Sequence, residues 1–342
     1  MQASQAIIAI DVMGGDNAPD AAISGADLFL KKHKDVYFLL YGDEAKVRPL
    51  LDKTKFLKKN SDLIDCKKSI SSEDNITVAL KNSRGTSMRT AIESVKNGDA
   101  DAVVSSGNTG ALMALSKICY KTLDGIDRPA ISSIVPTMNN GASVLLDMGA
   151  NSHCDANNIW QFAVMGDAYA KVVLGKDSPS IGVLNIGSED MKGNEVVRVA
   201  HQMIQESDML NYQGYVEGND ITSGKVDVVV TDGFTGNVAL KAIEGTAVMC
   251  KHYLQKGFKS SPLSLLGYLL SAWSLKKVFS NLDPRNYNGG MFLGLNGITI
   301  KSHGCSDAKG VANAIKVARK LILNKINNKI IEELNHSSFK NE

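Results

Sequence analysis

Short aliphatic and β-branched runs alternate along nearly the whole chain with longer stretches whose apolar positions recur every three to four residues. The short runs predict strands at 6–12, 36–41, 102–105, 131–135, 143–147, 181–185, 226–231 and 298–301. Helical spacing predicts amphipathic helices between them, including 156–174, with Asp155 as N-cap, and 237–255. Strands flanked by helices imply an α/β protein with a doubly wound, mostly parallel sheet covered on both faces. Ligands of such sheets bind beyond the carboxyl ends of the strands.

Polar, glycine-rich turns recur at those ends: DVMGGD (11–16), SSGNTGA (105–111), DMGAN (147–151), NIGSEDMKGN (185–194) and TDGFTGN (231–237). Any one of them serves a helix start for structural reasons alone. Five together point to a shared cleft in which backbone N–H groups and positive helix ends meet an anion.

Two segments depart from the pattern. SSPLSLLGYLLSAWSL (260–275) carries no charge, and Ser261 and Pro262 suit an N-cap and first helical position, predicting a helix to about Ser280. Ser264, Gly267, Ser271 and Ser274 form a small polar stripe among leucines, and Lys256, Lys259, Lys276 and Lys277 bracket the segment. It reads either as a buried or dimer-forming helix or as a membrane-surface or acyl-chain contact. The stretch 307–333 reads as one basic amphipathic helix. The whole divides into one α/β catalytic unit over 1–335, containing a helical insertion at 251–285, and a flexible tail at 336–342.

With 342 residues, 44% of them apolar, the chain can bury a large core. Thirty-eight basic and 36 acidic residues leave a net charge of +2, too balanced for a general nucleic-acid binder. Five cysteines without paired spacing suggest thiols in a reducing, cytoplasmic compartment. The apolar run at 6–10 has no basic lead and ends at Asp11, unlike a signal peptide. No stretch approaches the ~20 apolar residues of a spanning helix.

Several common chemistries have no signature here. No G-x-G-x-x-G follows a strand, and there is no G-x-x-x-x-G-K-[ST], HExxH or G-x-S-x-G. Cys154, between His153 and Asp155, is the one tempting nucleophile, but chain neighbours rarely face one another productively. What remains is an anion cleft suited to phosphate. Lys192 can supply a fixed positive charge, and Asn237 with backbone N–H groups can stabilise a carbonyl oxyanion. The alternative for Lys192 is a solvent-facing helix lysine.

These motifs together resemble the phosphate acyltransferase family, which makes acyl phosphate from acyl-[acyl-carrier protein] and inorganic phosphate in bacterial phospholipid synthesis. The resemblance covers about 7–318 and rests on DVMGGDNAP, ADAVVSSGNTGALM, RPA, LDMGAN, QFAVMGDAYAK, GVLNIGSEDMKGN, GYVEGNDI, DVVVTDGFTGNVALK and GLNGITIKSHGCSD. Val12 and Ser106 stand where the family usually has alanine, and Arg84 where lysine is common. None of the three removes a group the chemistry needs.

The resemblance implies a fold like the isocitrate and isopropylmalate dehydrogenases, related to phosphotransacetylases. It further implies a homodimer with active sites near the interface, no cofactor, acyl-carrier protein as donor, and cooperation with the membrane-bound acyl-phosphate:glycerol-3-phosphate acyltransferase. The family's catalytic lysine and asparagine fall on Lys192 and Asn237. Substrate-binding candidates on the turns are Asp11, Gly14, Gly15, Asp16, Gly107, Asn108, Thr109, Gly110, Gly187, Asp232, Gly233 and His303. The acidic carrier needs a basic patch, for which the C-terminal helix or the lysines at 251–277 are candidates. Rival readings are a phosphotransacetylase using acyl-CoA, a metal- and NAD-dependent decarboxylating dehydrogenase on the same scaffold, and a non-enzymatic binder of acylated carrier.

Overall fold

A computed structural model describes residues 5–281 and 283–338, the side chains of 277–281 and 336–338 excepted. Its strands are β1 (Ala6–Asp11), β2 (Val36–Gly42), β3 (Ser61–Asp65), β4 (Ala102–Ser105), β5 (Ala130–Pro136), β6 (Ala142–Leu146), β7 (Ser180–Leu184), β8 (Asn211–Val216), β9 (Val228–Val230), β10 (Gly290–Leu293) and β11 (Ile298–Lys301). Its helices are α1 (Asp20–Leu30), α2 (Glu44–Leu51), α3 (Ile76–Lys81), α4 (Ser87–Asn97), α5 (Thr109–Tyr120) and α6 (Ala156–Val173), followed by α7 (Glu195–Gln205), α8 (Asp220–Ser223), α9 (Gly233–Phe258), α10 (Pro262–Asn281), α11 (Ala308–Leu323) and α12 (Ile326–Ser338).

All eleven strands form one sheet in the order β3-β2-β1-β4-β11-β10-β5-β6-β9-β7-β8. Pairing is parallel except at β10–β11, β10–β5 and β5–β6. The sheet therefore holds two parallel sets that run in opposite directions, β3-β2-β1-β4-β11 and β6-β9-β7-β8. Its central strands are buried on both faces, β4 and β9 without exception, as expected where helices cover a parallel sheet.

All eight strands expected from the apolar runs are present. Three more, β3, β8 and β10, carry polar residues or glycine and gave no such run. Helix α6 starts where expected: Asp155 accepts from Asn158 N, and the Asn158 side chain accepts from Asp155 N, closing a capping box. Such a cap is worth about 1 kcal/mol.

Three expectations need correction. Helix α9 begins at Gly233, not Asn237, because Asp232 is the N-cap and accepts from Thr235 N. The basic C-terminal segment is two helices, not one, since Lys325 takes a left-handed φ of 49° between α11 and α12. Helix α12 runs on to Ser338, into the segment expected to be a flexible tail, and 339–342 lie outside the described residues.

The uncharged segment does form a helix, α10, with Ser261 Oγ accepting from Ser264 N. Within the chain it is not buried. Leu263, Leu266, Leu269, Leu270 and Trp273 are exposed, as are Val248, Met249, Tyr253 and Leu254 on α9. Among its described side chains, α9 buries only Gly233 and Gly236. The two helices thus leave the sheet as a projecting, apolar pair. No helix among the described residues is long and apolar enough to cross a membrane.

Candidate active site

The first set of strands ends in three turns that interlock. Asp11, the last residue of β1, is buried and accepts from Ser87 Oγ at 2.6 Å and Ser105 Oγ at 2.7 Å. Burial pushes its pKa up, against those hydrogen bonds and the nearby Lys301 charge. A Cβ on Gly14 would lie 2.6 Å from Asp11 Oδ2 and 2.7 Å from Gly107 N, so only glycine lets the first two turns close. The third turn, after β11, joins them through Asp16 N to Gly304 O, and through Asn17 Nδ2 to Cys305 O and Ser306 O. Helix α11 brings this turn into place by packing tightly on α1, where a Cβ on Gly25 would meet Val311 Cβ at 2.7 Å.

Lys301 ends β11 inside this cluster. Its ammonium donates to Ser106 O and Ser302 O, and burial lowers its pKa to about 8 despite the nearby carboxylates of Asp16 and Asp11. His303 follows two residues later and is exposed. Desolvation by the surrounding walls lowers its pKa, Glu244 opposes that shift, and Lys301 and Lys241 add to it. Lys241 and Glu244 belong to α9, so α9 passes close to the first cluster.

The second set of strands ends in the other turns. Asp147, after β6, is fully buried and accepts five hydrogen bonds, from the backbone N–H groups of Ile131, Gly149, Ala150 and Asn151 and from Asn151 Nδ2. Burial still outweighs these bonds and raises its pKa. Helix α9 seats against this turn: Gly233 N donates to Asn151 O, and Cβ atoms on Gly233 and Gly236 would fall 2.6 Å from Asn151 O and 2.0 Å from Asp147 O. Asn237, one residue beyond, is exposed and lies against Gly149.

Lys192 stands on the turn after β7, the strand beside β9. That turn is anchored by the buried Asn185, whose Nδ2 donates to Lys192 O and whose Oδ1 accepts from Ile186 N. The lysine is exposed and lies in a turn, not on a helix. Its stem folds back over Gly187, where a Cβ would come within 3.1 Å of Lys192 Cγ.

The five turns thus fall into two clusters. Asp11, Gly14, Gly15, Asp16, Gly107 and His303 belong to the first; Gly187, Lys192, Asp232, Gly233 and Asn237 to the second. Some candidates have structural duties that occupy them. The Asn108 amide caps α5 through Ala111 N and donates to Ser72 O and Asp74 O. Asp232 is taken by both the N–H and the hydroxyl of Thr235. Gly110 makes room for Ile76, and Thr109 opens α5 with an exposed side chain.

Asp147 and Lys301 were not singled out from sequence, although the DMGAN turn and the IKSHG motif contain them. The remaining nucleophile is disfavoured: the half-buried thiol of Cys154 is pushed up to about 11 by desolvation and by Asp147. Among the described residues no group of His, Cys, Asp and Glu is arranged to hold a metal ion.

The family model described as "Fatty acid synthesis protein" matches residues 6–329. A phosphate acyltransferase from Rhodospirillum centenum is 51% identical over 328 residues, covering 96% of this chain and 92% of the relative. The chain belongs to the phosphate acyltransferase family. A further member from Rhodospirillum rubrum is 47% identical over 329 residues, covering 96% of this chain and 94% of its own. Membership of this family makes the protein an acyltransferase of acyl:phosphate transfer, and sets aside the dehydrogenase and non-enzymatic readings.

The fold is shared more widely. A phosphotransacetylase from Streptococcus pyogenes superposes with a TM-score of 0.61 at 16% identity, covering 93% of this chain and 94% of that one. A 4-hydroxythreonine-4-phosphate dehydrogenase from Klebsiella pneumoniae superposes at 0.51 and 14% identity, covering 93% and 100%. The architecture is the dehydrogenase-like α/β fold expected from the sequence.

Proposed function

We propose that this acyltransferase moves a fatty acyl group from the thioester of acyl-carrier protein to inorganic phosphate by direct displacement. The observation that carries the reading is the placement of Lys192 on the turn after β7 and of Asn237 near the start of α9, which follows the adjacent parallel strand β9. A phosphate oxygen attacks the thioester carbonyl carbon, forming a tetrahedral oxyanion. That oxyanion collapses with cleavage of the C–S bond, and the released thiolate takes a proton from water. The products are acyl phosphate and the free carrier thiol.

Phosphate is already anionic at neutral pH, so the protein's task is orientation and charge stabilisation, not proton removal. In this reading Lys192 holds phosphate, and the Asn237 amide donates to the developing oxyanion. Asp147 works at one remove by fixing the 147–151 turn on which α9 is seated. Lys301 gives the first cluster its positive charge, while His303, its pKa lowered, stands there as a neutral imidazole. The projecting α9–α10 pair supports a homodimer, and its exposed leucines and Trp273 suit peripheral contact with the cytoplasmic face of the membrane. The acyl phosphate would be passed there to the membrane-bound acyl-phosphate:glycerol-3-phosphate acyltransferase.

The test mixes acylated carrier with the enzyme, with and without phosphate, and follows free thiol together with a hydroxylamine-reactive product. Thiol release that depends on phosphate is expected; release without phosphate, or none, overturns the reading. In parallel, Lys192→Ala should raise the phosphate KM, and unchanged phosphate saturation would remove Lys192 from the site.

A further inference from the structure

Away from both turn clusters, Lys68, Lys81 and Arg84 line a shallow surface hollow of about 520 Å³ together with Ser69, Asn82 and Thr86. No acidic side chain lines it, and among the described residues none of its three cationic groups has an ion-pair partner. The contrast with the neighbouring Arg89 is informative, because Arg89 is neutralised by Glu93 at 2.7 Å. Three like charges gathered without a counter-ion repel one another and create a local positive potential on a chain whose net charge is only +2.

The hollow borders the first cluster. Lys68 O accepts from Ser87 N, and Ser87 Oγ in turn bonds Asp11. Asn108 ties the intervening segment down through Ser72 O and Asp74 O. A partner seated on the hollow therefore touches the same wall that closes the first cluster. The cationic side chains are exposed, so a free phosphate ion there would keep most of its water. A broad acidic surface, which meets all three charges at once, fits better.

We propose that Lys68, Lys81 and Arg84 form the docking surface for the acidic protein that presents the acyl donor, a proposal resting on the carrier-linked donor assigned above. The basic patches expected from sequence fit less well. On α11, Arg319 is bound to Asp35, Lys309 to Asp283, and Lys320 to Val173 O. On α9, Lys241 is paired with Glu244, and Lys251 and Lys256 lie near the exposed apolar side chains of Val248, Met249, Tyr253 and Leu254.

The experiment compares steady-state kinetics of the full-length enzyme and the Lys81→Glu/Arg84→Glu variant, with acylated carrier as donor, over a range of salt. Circular dichroism checks that the variant is folded, and Lys68→Glu provides a second, independent variant. The proposal expects the carrier KM to rise about tenfold. It also expects a weaker salt dependence of that KM and an unchanged KM for phosphate. An unchanged carrier KM in both variants, or a raised phosphate KM instead, overturns it. If the unmutated enzyme fails to turn over acylated carrier at all, the donor assignment itself falls and this docking surface falls with it.

Discussion

Gly149 and Asn237 stand so close that a Cβ on the glycine would lie 3.4 Å from the asparagine's Nδ2. Gly149 also has φ of 124°, which side-chain-bearing residues rarely adopt. The 147–151 turn and the second turn of α9 are thus fitted to each other. Gly149→Ala should cost roughly 1–3 kcal/mol of stability from backbone strain. It should also lower kcat by displacing Asn237, because a shift of ~1 Å in a positioned group can cost about 10²-fold. Asn237→Ala should lower kcat by roughly 10² to 10³ with little change in melting temperature. Thermal melts beside steady-state kinetics separate the two effects; a Gly149→Ala enzyme with full kcat would show that the contact does not position Asn237.

Lys301 gives a pH signature. Its folded pKa of about 8 lies below the ordinary 10.5, so between those values the unfolded chain binds more protons than the native one. This group's contribution therefore makes the protein more stable as pH rises through that interval, and the contribution is lost as pH falls through about 8. Lys301→Met should flatten that part of the profile. Urea midpoints for the parent and the variant across this range provide the check, and parallel curves would contradict the burial of the ammonium.

The exposed leucines of α10 predict a change of association, not of chemistry. Burying one leucine is worth roughly 1.5–3 kcal/mol, so Leu266→Glu/Leu270→Glu should weaken whatever covers this face by at least ~10²-fold. Sedimentation velocity reads the loss of a dimer, and flotation with anionic vesicles reads the loss of membrane contact. If both are unchanged, neither role belongs to this face.

Much of the architecture was legible because parallel strands covered on both sides are nearly uninterrupted apolar runs, as in VVV of β9 or AVVS of β4. The missed strands show where that signal fails. β3 (SDLID) and β8 (NYQGYV) are the sheet's two edges and are partly exposed, so solvent tolerates their polar residues. β10 is four residues long and opens on glycine. The break between α11 and α12 has neither proline nor glycine to announce it.

The candidate site was legible as turns but not as duties. Asn108 looked available to a ligand, yet its amide is bound to carbonyls of residues 72 and 74, which only the fold brings near. Asp232 looked chemical and is a helix cap. Asp147 and Lys301 lay in recognised motifs, but their importance comes from burial, which depends on every layer packed around them.

The position of β11 has a consequence for how the protein is made. β4 borders β1 on one side and β11 on the other, although almost two hundred residues separate β4 from β11 along the chain. During synthesis the amino-terminal half leaves the ribosome with an open β edge at Ala102–Ser105, and with only two of the three turns of its cluster. That edge is closed and the cluster completed only when Ile298–Lys301 and the 302–306 turn emerge. A nascent chain stalled before that point carries an apolar, unpaired edge, the state most exposed to aggregation and to chaperone capture.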